Sequence, residues 1–300
     1  MNAEEISLKD KLRRHYHDRD RFKLKPSYSN YAGMTYFWFM NITVLMTSHF
    51  IVIPAILDAS QVMQGIIIAW ALFTEVTINW ILASKKNAST VTQEISEKQP
   101  QPSNTSYNSF GWKKCIKCQM NSPPRANHCS LCGACILKRD LHCFVTGNCL
   151  GFHNQRYFIV MLFYIVVGLT YAGVLNVLYM NSIYPIGSEF VNYIPFITPW
   201  KVYQGEVNLL FVWLLFLFYC SICSVGVAGF FLLWEITVVY RGQTTGEAWK
   251  RIRFYKSPHI LQHIRVVFGP YWILNFIIPL PTSLPGDGLH WEINPNLKVH

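Results

Sequence analysis

Charge is scarce in this chain. Only 14% of its 300 residues are Asp, Glu, Lys or Arg, while 51% are hydrophobic, and mean hydropathy is +0.21. A soluble domain of this length does not carry such long apolar runs, so an ordinary water-soluble globule is excluded. Acidic residues are scarcer still, 16 against 26 Lys plus Arg, for a net charge of +10. No internal repeat stands out. Nothing at the N-terminus has the build of a cleaved signal peptide, because residues 1–32 are strongly charged and the first apolar run is too long for an h-region. Cysteine is nearly absent outside one segment: of nine, only Cys220 and Cys223 lie beyond 115–149.

What is present is first a set of four apolar runs of spanning length, Thr35 to Leu57, Val62 to Ala83, Tyr157 to Met180 and Leu209 to Tyr240. Basic residues set their orientation. Lys201 alone of the 26 falls in the loops 58–61 and 181–208, and every other one lies on the opposite side. Both termini and the cysteine-rich loop are therefore expected in the cytosol. The positive charge tracks this topology and suits anionic lipid headgroups, so the lipid bilayer is the expected partner and nucleic acid is not.

The chain divides accordingly. Residues 1–32 form a cytosolic basic arm and 33–83 the first two spans. Residues 84–110, rich in Ser, Thr, Asn, Gln and Pro, read as a flexible cytosolic linker. Residues 111–156 form the cysteine-rich domain, 157–240 the last two spans, and 241–300 a cytosolic C-terminal region. Loop 181–208, rich in aromatics and Pro, is expected against the outer leaflet. The run Tyr271 to Leu280 is too short to span.

The segment CIKCQMNSPPRANHCSLCGACILKRDLHCFVTGNC carries nine candidate metal ligands: Cys115, Cys118, His128, Cys129, Cys132, Cys135, His142, Cys143 and Cys149. Cytosolic cysteines at C-x2-C spacing are zinc ligands or reactive thiols rather than disulfides. Few aliphatics are available for a core here, so metal must supply the fold energy. Two tetrahedral zinc sites need eight ligands, which leaves one thiol free. Spacing alone does not say which. Cys143 is favoured because His142 adjoins it, and neighbouring side chains rarely both reach one small ion from an irregular loop. The pair His128-Cys129 raises the same objection unless its members serve different sites, which favours an interleaved arrangement.

The pattern C-x2-C-x9-HC-x2-C-x2-C-x4-D-x-HC-x5-C resembles the DHHC cysteine-rich domain of protein S-acyltransferases (palmitoyltransferases). SPPRANHCSLC, the Gly151, Asn154 and Phe158 set, Thr244-Thr245-Gly246-Glu247 after the fourth span, and Phe268-Gly269 resemble further segments of that family. The resemblance implies an α-helical integral membrane protein with four transmembrane helices. A small cytosolic two-zinc domain lies between helices 2 and 3. It implies one structural zinc on Cys115, Cys118, His128 and Cys135. The second falls on Cys129, Cys132, His142 and Cys149. Cys143 is then the catalytic thiol and Asp140 a catalytic residue. Palmitoyl-CoA is the implied acyl donor, membrane-associated proteins with cytosolic cysteines are the acceptors, and ER or Golgi is the implied location. Lys138, Arg139 and Arg125 are candidates for the CoA phosphates.

One departure from the pattern bears directly on the chemistry. The family has Asp-His-His-Cys, and this chain has Asp140-Leu141-His142-Cys143. The implied general base is missing, an assistance typically worth about 10²–10⁴-fold. Three readings follow: slow turnover through Cys143 alone, another base such as His153, or a silent relative acting as a membrane scaffold or regulator. The family's Pro-Trp after the cysteine is Phe144-Val145 here, and its C-terminal Asn position is His263. Cys220 and Cys223 read as packing residues of the fourth span. Glu75, Asn79 and His49, polar within the spans, read as structural hydrogen-bonding groups.

Overall fold

The computed structural model describes residues 28–85, 89–97, 111–252, 255, 259–279 and 283–291. Most of the basic arm, residues 98–110 of the expected linker and the final nine residues lie outside the described residues. Among the described residues four helices are long and apolar enough to cross a membrane. They are α1 (Tyr28–Ile56), α2 (Ala59–Ser84), α4 (Gln155–Ile183) and α5 (Leu209–Tyr240). The first three begin seven, three and two residues before their hydropathic runs, whereas α5 coincides with its run. Pro54 has no N–H to return to the Phe50 carbonyl, and α1 takes up the mismatch as a π-helical turn at Ser48–Val52. Asn208 caps α5 by accepting from the Phe211 N–H.

Helix α4 is the central element and packs along both α2 and α5. Between α2 and α4 sits the cysteine-rich domain, three antiparallel hairpins: β1 (Lys113–Cys115) with β2 (Met120–Ser122), β3 (Asn127–Cys129) with β4 (Ala134–Ile136), and β5 (His142–Cys143) with β6 (Asn148–Cys149). No large core holds these strands. Cys143 and Leu150 instead join the apolar cluster of the spans, with Phe37, Val76, Phe158 and Met161.

The expected flexible linker is ordered in part. Val91 N donates to Cys135 O at 2.8 Å and Leu137 N to Ser89 O at 2.7 Å, so residues 89–91 run along β4. The short helix α3 (Gln93–Glu97) follows, and Ser96 Oγ accepts from Asn121 N at 2.8 Å. The segment is polar in composition, yet Ser89 and Ser96 are buried, with Ser89 Oγ also accepting from His153 N.

Asn154 knits the domain to the bundle. Its amide donates to Ala83 O and Cys149 O, both at 3.0 Å, and its carbonyl accepts from Gly151 N at 2.9 Å. Gly151 is required by space, since a Cβ there would lie 2.6 Å from Leu137 O. After α5, the helices α6 (Thr245–Trp249) and α7 (Ile260–Phe268) follow. The chain then returns to the domain, where Leu289 is buried with Val91, Cys135 and Phe152.

Candidate functional site

The hairpins bring eight ligand atoms into two groups: Cys115, Cys118, His128 and Cys135, and Cys129, Cys132, His142 and Cys149. Within each group the atoms lie within 4.8 Å of one another. Zinc bonds of about 2.3 Å to sulfur and 2.0–2.1 Å to nitrogen set tetrahedral ligand atoms roughly 3.5–3.8 Å apart. Observed separations match: His128 Nδ1 is 3.2 and 3.7 Å from the Cys118 and Cys115 sulfurs, and Cys118 Sγ is 3.7 Å from Cys135 Sγ. His142 Nδ1 lies 3.7, 3.3 and 3.6 Å from the sulfurs of Cys129, Cys132 and Cys149. Both clusters suit zinc. The sets interleave because β3 presents His128 and Cys129 to opposite faces, as a strand must.

Asn30 of α1 supports the second group from outside. Its Oδ1 is 3.1 Å from His142 Nε2, which leaves Nδ1 for the sulfur cluster. Arg139 lies against the Cys129 and Cys149 sulfurs.

Cys143 belongs to neither group. It lies beside Leu141 on the wall of a half-open apolar cavity of about 560 Å³ lined by α1, α4, α5 and α6. Tyr36, Phe158, Leu162, Leu169 and Ala228 line it further in. Burial pushes the Cys143 thiol up, and the N–H and hydroxyl of Thr146 pull the other way. The turn beyond the thiol is held on two sides. Trp80 Nε1 donates to Val145 O at 3.0 Å. On α1, Gly33 admits the Phe144 backbone so closely that a Cβ would lie 2.9 Å from its carbonyl carbon and oxygen.

Asp140 is buried and points to the start of α6. It accepts from Thr245 N at 2.6 Å and from Thr245 Oγ1 at 3.0 Å. Thr244 and Glu247 form a capping box on the same helix. Glu247 in turn receives Arg125, with Nε to Oε1 at 2.8 Å and Nη2 to Oε2 at 2.7 Å. The Arg125 guanidinium lies 4.5 Å from the Trp291 ring centroid. The sequence motifs around Arg125, Asp140 and Thr244–Glu247 are thus one contact region.

Residues 108–252 match the family model described as DHHC palmitoyltransferase. The chain is similar to a probable palmitoyltransferase ZDHHC24 of Rattus norvegicus, 33% identical over 184 residues, which are 61% of this chain and 64% of that protein. It is 35% identical over 192 residues to a probable palmitoyltransferase ZDHHC24 of Danio rerio, 63% of this chain and 64% of the relative. It is 33% identical over 175 residues to the palmitoyltransferase ZDHHC22 of Danio rerio, 55% and 60% respectively. The chain spans less than two thirds of the length of these relatives.

Several DHHC-region residues fall elsewhere than the sequence suggests. Lys138 and Arg125 are not on a phosphate-facing surface. Lys138 is buried with its Nζ 2.8 Å from Gln155 Oε1, and Arg125 is committed to Glu247. His153 lines no part of the Cys143 cavity; its ring packs on Phe152 and its backbone N donates to Ser89 Oγ. His263 is buried against Gly242, with Nδ1 3.0 Å from Tyr240 O. Cys223 does line the cavity. Asn30, Trp80 and Glu235 carry no spacing signal in the sequence, since each is a single polar or aromatic residue on an apolar helix.

Proposed function

We propose that this chain is a protein S-acyltransferase that moves a palmitoyl group from palmitoyl-CoA to cysteines of membrane-associated proteins through an acyl-Cys143 intermediate. The observation that carries the reading is the position of Cys143, the one thiol of the cysteine-rich domain outside both clusters, at the wall of an acyl-sized apolar cavity. Two structural zinc ions sit on the two sets of four ligands and hold the hairpins that present the thiol. Cys143 Sγ attacks the thioester carbonyl, a new C–S bond forms, and the bond to the CoA sulfur breaks. The thiol proton leaves with CoA. A substrate cysteine then attacks acyl-Cys143, and its proton returns to Cys143.

Asp140 acts by fixing the turn that carries Cys143 to α6. Leu141 stands where the family's general base would be, and the reaction relies on the fraction of Cys143 ionised with help from the Thr146 N–H and hydroxyl. The distribution of Lys and Arg supports a multi-pass protein with both termini and the zinc domain cytosolic, and the family resemblance implies the ER or Golgi. Leu141 alone favours a second reading, a scaffold or regulator without turnover.

CoA release from palmitoyl-CoA by the purified chain tests the reading. Wild type is expected to release CoA and Leu141→His to release it faster. No release by either protein leaves the scaffold reading.

A further inference from the structure

Glu235 is a fully buried carboxyl group in α5, and the acyl-transfer chemistry leaves it without a role. A buried ionisable residue in a membrane helix is costly and is retained for a partner or a task. Its surroundings can be named element by element. From α4, Gln155 Nε2 donates to Glu235 Oε2 at 2.9 Å. From the cysteine-rich domain, Lys138 is the near cation, but its ammonium is bound to Gln155 Oε1 and not to Glu235. The Asp140 carboxyl is a hydrogen-bonding neighbour of Glu235.

Donor counting assigns the proton. Asp140 already accepts from the Thr245 N–H and hydroxyl, which suits a carboxylate. Glu235 accepts one bond at Oε2, while its Oε1 is buried with no N–H or O–H donor among the described residues. Two ionised carboxylates in contact without water repel. A carboxyl oxygen that lacks a donor beside an anion is satisfied when it is itself the donor.

We propose that Glu235 is a positioning residue: as a neutral acid it donates from Oε1 to Asp140 and locks the Asp140–Cys143 turn onto α5 and α6. Substitution by Gln preserves this pattern, with an amide oxygen for Gln155 and an NH2 group for Asp140. Substitution by Ala removes the donor. Losing a hydrogen bond to a charged group corresponds to roughly 10–100-fold.

The kinetic arm rests on the acyl-transfer reading, whereas the spectroscopic arm does not. Infrared difference spectra of the purified wild type against Glu235→Gln are expected to show the C=O stretch of a neutral carboxylic acid in wild type only. Acylation of Cys143 is expected near the wild-type rate in Glu235→Gln and about 10–100-fold slower in Glu235→Ala, each at wild-type zinc content. The proposal is overturned by absence of the carboxylic acid band, by Gln as slow as Ala, or by Ala as fast as wild type. A wild type that is never acylated contradicts the acyltransferase reading instead, and the infrared band still decides the state of Glu235.

Discussion

Arg125 Nη2 and Glu247 Oε2 lie 2.7 Å apart although 122 positions separate them in the chain. The pair clamps the cysteine-rich domain to the turn after the fourth span. Glu247 also caps α6, the helix whose first residue, Thr245, holds Asp140. Stability and the placement of Cys143 are therefore coupled through one ion pair.

Removing one partner leaves the other charge buried and alone. Arg125→Met is expected to destabilise the protein by about 3–5 kcal/mol, and Arg125→Met with Glu247→Gln by less than the sum of the single changes. Thermal unfolding in detergent, run as a double-mutant cycle, measures both.

Zinc analysis of the purified protein is expected to give two ions per chain, one for each ligand group. Cys118→Ser and Cys132→Ser are each expected to lose one ion, and a strong chelator to unfold the domain, because the hairpins share no large core. A single ion in wild type contradicts the two-site assignment.

The cavity limits what reaches Cys143. Ala228 lines it from α5, and Ala228→Phe is expected to fill part of its space and lower acylation by palmitoyl-CoA more than by a shorter acyl-CoA. At Gly33, a β-branched residue meets the Phe144 backbone. Gly33→Val is expected to slow acylation of Cys143 at least about tenfold while both zinc ions stay bound. Comparing rates across acyl lengths separates the two effects, since Gly33→Val slows every donor alike.

Lys138 sets a pH dependence of stability. Burial pushes it down to about 8, against about 10.4 in an unfolded chain. Between these values the unfolded state binds the extra proton, so stability rises with pH across that window and the burial penalty is fully present below it. The expected gain is on the order of 3 kcal/mol, and Lys138→Met is expected to abolish it. Unfolding followed at several pH values in this window checks the sign.

Much of the architecture is written in patterns that a sequence displays. Four spans follow from run length, and two metal sites follow from the count of clustered Cys and His, whereas the division of the ligands into two sets comes from the family resemblance, since Cys132 and Cys135 stand at C-x2-C spacing yet serve different groups. Less visible is whatever depends on a single contact between distant segments. Asn30 supports His142, Trp80 holds Val145, and Glu235 reaches Asp140 through folding of the bundle, with no local periodicity to announce them. Composition also misleads where the backbone does the bonding, as in residues 89–97, which are polar in sequence yet paired to β4 and β2. Basic residues near a thiol read as a phosphate site until Arg125 and Lys138 prove to be buried on internal partners.

The most direct test is covalent labelling of the purified chain by palmitoyl-CoA, read by intact mass and by the peptide that carries Cys143. One acyl group, removed by hydroxylamine and absent in Cys143→Ala, is the expected result. Label that persists in Cys143→Ala, or a wild type that takes no label while holding both zinc ions, contradicts Cys143 as the acyl acceptor.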